Sequence, residues 1–123
     1  MNAEVNTWED FLKVFHKDTD WNPHNEFGDI SLYDVSEDVK RHIIASYKIT
    51  KLIEVGYGGV ITDDEWKNSR VVKYSIVSNV KDGTFAYTDT RRYEKNILSF
   101  HSWHDRERFV KYNKELCKDF LML

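Results

Sequence analysis

One cysteine, one proline and five glycines in 123 residues leave few of the usual devices for stapling or bending a small chain. With Cys117 alone there is no internal disulfide and no thiolate zinc cluster, and its place between Leu116 and Phe120 in a helical pattern marks it as a small buried apolar side chain. Uninterrupted apolar runs extend only a few residues, far short of the roughly 20 that span a bilayer, so no membrane segment is expected. Residues 1–7 carry neither a basic cluster nor an apolar stretch, so no secretory signal is expected and the cytoplasm is the expected compartment. There is no Gly-x-Ser-x-Gly element, and Gly56 to Gly59 lacks the lysine of a phosphate-binding loop. The expectation is a protein without a cofactor that is not an enzyme.

What is present is aromatic and charged. Aromatic residues make up 15% of the chain and charged ones 32%, the charges spaced among apolar positions and not in blocks, which argues for one folded core over disorder. The net charge of -3 is unevenly spread: residues 1–38 hold ten acidic residues against Lys13 and Lys17, a balance of -8, which leaves +5 for the remainder. An acidic first third can pack on the basic remainder or steer partners toward it.

Thr7 with Asp10 forms a capping pair, and Trp8, Phe11, Leu12 and Phe15 recur at helical spacing, which predicts a short helix over 8–16. Docking of that apolar stripe on the body of the molecule is favoured over its use as a free binding arm. Residues 17–35 hold Pro23, Gly28 and several Asp and Asn, and read as an acidic loop. Ser36 caps a second helix whose first turn is Glu37 and Asp38; the pattern runs to Gly56-Tyr57-Gly58-Gly59 and fits one helix or two abutting over 37–57.

From Val71 the period becomes two. Tyr74 and Ile76 alternate with Lys73 and Ser75, Phe85 and Tyr87 do so across Asp82-Gly83, and a third strand near Ile97 to His101 would complete an antiparallel meander. A last amphipathic helix from Ser102 carries Phe109, Leu116 and Phe120 and should cover the sheet, forming one core with Leu98 and Phe100. The class is therefore α+β in a single domain over 1–123, with helix and acidic loop in 1–35 and the main body in 36–123.

Candidate chemistry is sparse. Asp18, Asp20, Asn22, Glu26 and Asp29 fall in the frame of a calcium loop, but Pro23 stands where that loop needs glycine, so a solvated acidic loop is the better reading. His101 and His104 have a spacing that can share a metal, yet one closes a strand and the other opens a helix. Arg91-Arg92-Tyr93-Glu94-Lys95, with Lys73 and Lys81 near on the predicted sheet and Tyr74, Tyr87 or Tyr93 to stack on bases, is the best nucleic-acid candidate, set against Asp82, Asp89 and Glu94 in the same region. Trp21, Trp66 and Tyr93 lie in or beside loops, where aromatic anchors of protein interfaces concentrate; a core-capping role fits each equally well.

Ile44-Ala45-Ser46-Tyr47-Lys48, Lys51-Leu52-Ile53, Gly58-Gly59, Asp64-Glu65-Trp66, Lys73-Tyr74-Ser75-Ile76, Leu98-Ser99-Phe100 and Arg108-Phe109 together form a pattern over roughly two-thirds of the chain. That pattern resembles a group of small uncharacterised proteins encoded by bacteriophages and prophages of gut-type bacteria. The resemblance implies provenance and fold more than function. Taken with the charge asymmetry and the lack of a catalytic constellation, it leads to the expectation of an accessory protein that binds another protein, a host protein among the candidates, with nucleic-acid binding as the disfavoured alternative and a metal-dependent enzyme as the third.

Overall fold

A computed structural model describes residues 4–15, 36–79 and 81–123. Among the described residues four helices, α1 (Trp8–Phe15), α2 (Glu37–Gly56), α3 (Asp63–Lys67) and α4 (Trp103–Leu121), accompany three strands, β1 (Lys73–Asn79), β2 (Thr84–Thr90) and β3 (Ser99–Phe100), in an α+β arrangement. The acidic loop expected over 17–35 lies outside the described residues, as do Trp21 and the calcium-frame residues Asp18, Asp20, Asn22, Glu26 and Asp29. No helix among the described residues is long and apolar enough to cross a membrane.

The helix starts are set by local chemistry. Thr7 Oγ1 accepts from the Asp10 amide at 3.2 Å while the Asp10 carboxylate accepts from the Thr7 and Asn6 amides, each at 3.0 Å, so α1 begins with a reciprocal cap. Ser36 Oγ accepts from the Val39 amide at 3.3 Å and opens α2, which is one continuous helix of 20 residues. Ala45, Ile49, Leu52 and Ile53 form its buried stripe. Beyond Gly56 the chain turns through Gly58 and Gly59, at φ 85° and 84°, and the Gly59 amide returns to the Ile53 carbonyl at 3.0 Å.

β1 pairs antiparallel with both neighbours, Ile76 facing Tyr87 on one side and Tyr74 facing Phe100 on the other. The sheet order is therefore β2-β1-β3, which corrects the expected meander. β2 and β3 run in the same direction, so no tight turn can join them, and residues 91–98 must travel back along β1 to reach its free edge. Two anchors hold that return: Lys73 Nζ donates to the Arg91 carbonyl at 3.2 Å, and Asn96 Nδ2 donates to the Ile76 carbonyl at 3.0 Å.

α4 packs on the face carrying Tyr74, Ile76, Phe85, Tyr87 and Phe100. Phe109 meets Phe100 at 5.3 Å and Tyr57 at 4.9 Å between ring centroids. Of the expected core set, Leu98, Phe100 and Phe109 are fully buried, and Leu116 and Phe120 are half-buried against the same cluster, with Cys117 buried among them. Burial pushes the Cys117 thiol up to about 12. α4 bends at Asn113 (φ -133°, ψ 37°), whose side-chain amide leaves the helix to donate to the Asn6 carbonyl at 2.7 Å and to Tyr57 Oη at 3.2 Å.

That bend receives the N-terminal segment, which docks as the apolar stripe predicts. Val5, Trp8, Phe11 and Leu12 join the core, whereas Phe15, read as part of the stripe, is exposed where α1 ends. Arg108 fixes the segment from outside, bonding the Asn6 side chain at 2.8 Å and the Gly56 carbonyl and lying 4.1 Å over the Tyr57 ring. A Cβ on Gly56 would sit 2.4 Å from the Val5 carbonyl oxygen, so the close approach of segment and helix end requires glycine there.

Candidate binding cleft

The site is built outward from α3. Thr62 and Glu65 form a capping box, Thr62 Oγ1 accepting the Glu65 amide at 3.2 Å and Glu65 Oε1 accepting the Thr62 amide at 2.9 Å. Glu65 Oε2 lies 2.9 Å from His101 Nε2, tying α3 to the end of β3. These bonds, the Thr62 amide first and His101 with them, hold the Glu65 carboxyl below its ordinary value.

Five residues cannot make a stable helix alone, and the piece is held by a lysine beneath it. Lys73 is fully buried, although the strand alternation reads it as a polar outward position. Its ammonium donates to the carbonyls of Trp66 (3.2 Å), Asn68 (3.1 Å) and Arg91 (3.2 Å) and lies 5.6 Å from the Trp66 ring. A cation saturated by three carbonyls is removed from any phosphate, which corrects its place in the nucleic-acid reading.

Asp63, the first residue of α3, is the charged centre of the rim. Its carboxylate pairs with Lys95 at 3.0 Å and Lys67 at 3.0 Å and accepts from Tyr93 Oη at 2.9 Å. These partners, Lys95 foremost, then Lys67 and Tyr93, hold the Asp63 carboxyl well below the usual carboxylate range. The cluster draws residues 93–95 onto α3 and leaves a cleft of about 310 Å³ lined by Thr50, Val60, Ile61, Asp63, Trp66, Lys95, Asn96, Ile97 and Ser99. Val60 and Ile97, 43% and 38% exposed, are its apolar lips.

The hydroxyls of the cleft are already engaged. Thr50 Oγ1 donates to the Ser46 carbonyl at 2.8 Å, and Ser99 Oγ shares a 2.7 Å hydrogen bond with Ser75 Oγ. A carboxylate held ionised this firmly is a poor general acid or base near neutral pH, so the cleft offers apolar contact within a charged rim.

The sequence-predicted residues separate accordingly. Trp66 is a buried wall of the cleft, only 5% exposed, and not a projecting anchor. Tyr93 exposes its ring on the rim while its hydroxyl stays on Asp63. Arg91 and Arg92 are exposed just past β2, and Arg92 reaches Glu94 at 4.0 Å. His101 is committed to Glu65 through Nε2, and its buried Nδ1 has no hydrogen-bond partner among the described residues; His104 sits on the exposed start of α4 beside Trp103. Among the described residues no group of three or more His, Cys, Asp or Glu side chains is placed to hold a metal.

Val60 and Ile97 did not stand out in the sequence as site residues, and Lys95 stood only as the end of the basic run 91–95. The Thr-x-x-Glu run at 62–65 could have located α3. No local signal pairs Asp63 with Lys95.

The fold defines the class as a small α+β domain with a three-stranded antiparallel sheet covered on one face by its last helix. No family model matches the chain, and no curated protein or solved structure matches it either.

Proposed function

We propose that this protein acts by binding another protein and not by catalysis, and that the cleft beside α3 receives an apolar side chain of the partner. The observation that carries this reading is the pairing of exposed apolar lips, Val60 and Ile97, with a rim whose charges on Asp63, Lys67 and Lys95 are fixed in place. An apolar centre within a polar border is the anatomy of a specific interface, and pre-organised rim charges lose little freedom when a partner arrives. The phage resemblance supports an accessory role with a host protein as the partner.

Selection of peptides from a random library on the full chain tests the reading. The expected winners share an apolar anchor and lose roughly tenfold or more in affinity, about 1.4 kcal/mol, on Ile97→Asp and on Lys95→Glu, with unchanged circular dichroism. Binders indifferent to both substitutions would place recognition elsewhere. Retention on single-stranded DNA that falls steeply with salt and is lost in an Arg91→Glu, Arg92→Glu double variant would favour the nucleic-acid alternative.

A further inference from the structure

A second surface, separate from the cleft, is the outer edge of β2. The Ile76 amide donates to the Leu98 carbonyl at 2.9 Å and the Ile76 carbonyl accepts from Asn96, so the backbone groups of Ile76 point away from β2. Tyr87 faces Ile76, and antiparallel alternation therefore turns the amides and carbonyls of Phe85, Tyr87 and Asp89 outward along an edge that no strand pairs among the described residues. Natural edge strands are blunted by lysine, proline, bulges or shortness. β2 has seven residues, Thr84–Thr90, with an unbroken register and neither lysine nor proline. Its one charge, Asp89, is held by Arg106 at 2.6 Å. α4 lies over β1 and β3, and Tyr87 stays 45% exposed beside this edge.

We infer that β2 pairs antiparallel with β2 of a second copy of this chain about a two-fold axis through Tyr87. Residues equidistant from Tyr87 then face each other, so Phe85 meets Asp89 of the second copy and on the order of six main-chain hydrogen bonds close. The same register brings Asp82, in the hairpin turn just before β2, close to the end of the second copy's β2, where Arg91 and Arg92 leave the strand, and the symmetry makes that approach twice. Asp82 is available as an anion: its carboxyl is held below its ordinary value by the Thr84 hydroxyl and amide. Arg91 and Arg92 are exposed to meet it. Sliding the register by two residues carries Asp82 inward beside Thr90 in one direction and outward past the strand end in the other, so the charges favour one register. β3, the opposite edge of the sheet, has only two residues, Ser99–Phe100, which favours a closed dimer over a growing ribbon.

Sedimentation equilibrium of the full chain over a range of concentrations tests this. The expected species is a dimer at twice the 14.7 kDa chain mass. With it, protection from hydrogen exchange at the Phe85, Tyr87 and Asp89 amides should rise with concentration. Tyr87→Glu places two carboxylates at the axis and should weaken association roughly tenfold or more. Asp82→Arg and Arg92→Asp should each weaken it, and an equimolar mixture of the two should associate more tightly than either alone, because the mixed pair is opposite in charge at both ends. Arg92 is exposed and lightly held, so Arg92→Asp and Tyr87→Glu remain informative where Asp82→Arg loosens the turn. A chain that stays monomeric at millimolar concentration, or a dimer that leaves those three amides exchanging freely and ignores Tyr87→Glu, would overturn the inference.

Discussion

Shortening Phe109 to alanine opens a space between two rings that cannot close on it. Phe109 is fully buried, with Tyr57 edge-on at 4.9 Å and Phe100 tilted at 5.3 Å. Tyr57 is fixed through its hydroxyl, which donates to the Asn6 carbonyl at 2.6 Å, and through Arg108 over its ring, while Phe100 is paired in the sheet opposite Tyr74. A buried phenylalanine truncated to alanine costs about 3–5 kcal/mol, and the upper half applies where neighbours cannot collapse, so about 4 kcal/mol is expected. Unfolding entropy near 2.1 cal/mol/K per residue converts this to a fall in Tm of roughly 15 °C for a chain of this length. Calorimetry or a urea titration followed by circular dichroism reads it, with Tyr112→Ala as an exposed control expected within about 0.5 kcal/mol of the parent. A Phe109→Ala protein melting within about 2 °C of the parent would refute the claim that α4 closes the core over the sheet.

Three further outcomes are expected. Lys73→Ala leaves three carbonyls without their donor and removes the buried stem, and should cost about 3 kcal/mol or more in urea unfolding; a change under about 1 kcal/mol would show that water replaces the ammonium. Asp63 has a folded pKa depressed below its ordinary 3.8, so its contribution to stability is present above that value and is lost as pH falls through the folded value. Its carboxyl carbon shift should therefore titrate below the ordinary midpoint, and Lys67→Met with Lys95→Met should move the midpoint back up; a midpoint unmoved by the pair would refute the cluster. Cys117, with its thiol pushed up to about 12 by burial, should resist a disulfide reagent at pH 8 until the protein unfolds, and rapid labelling of the native chain would contradict its placement.

By itself the sequence determined the elements that depend on neighbours a few positions away. Thr7 with Asp10, Ser36 with Val39 and Ser102 with Asp105 make their caps within three residues, and the stripes of α2 and α4 repeat at helical spacing, so these helices were readable. Alternation around Asp82-Gly83 likewise marked β1 and β2. Only the tertiary structure decided which strand lies beside which, because alternation records a buried face and not the neighbour across it. For the same reason Lys73 reads as an exposed position on a strand, and its burial appears only when residues 66–68 and 91 converge on its ammonium. The rim of the cleft is a product of that return path too: residues 91–98 carry Tyr93 and Lys95 back along β1 to Asp63, and no periodicity in the chain records a meeting between residues so far apart.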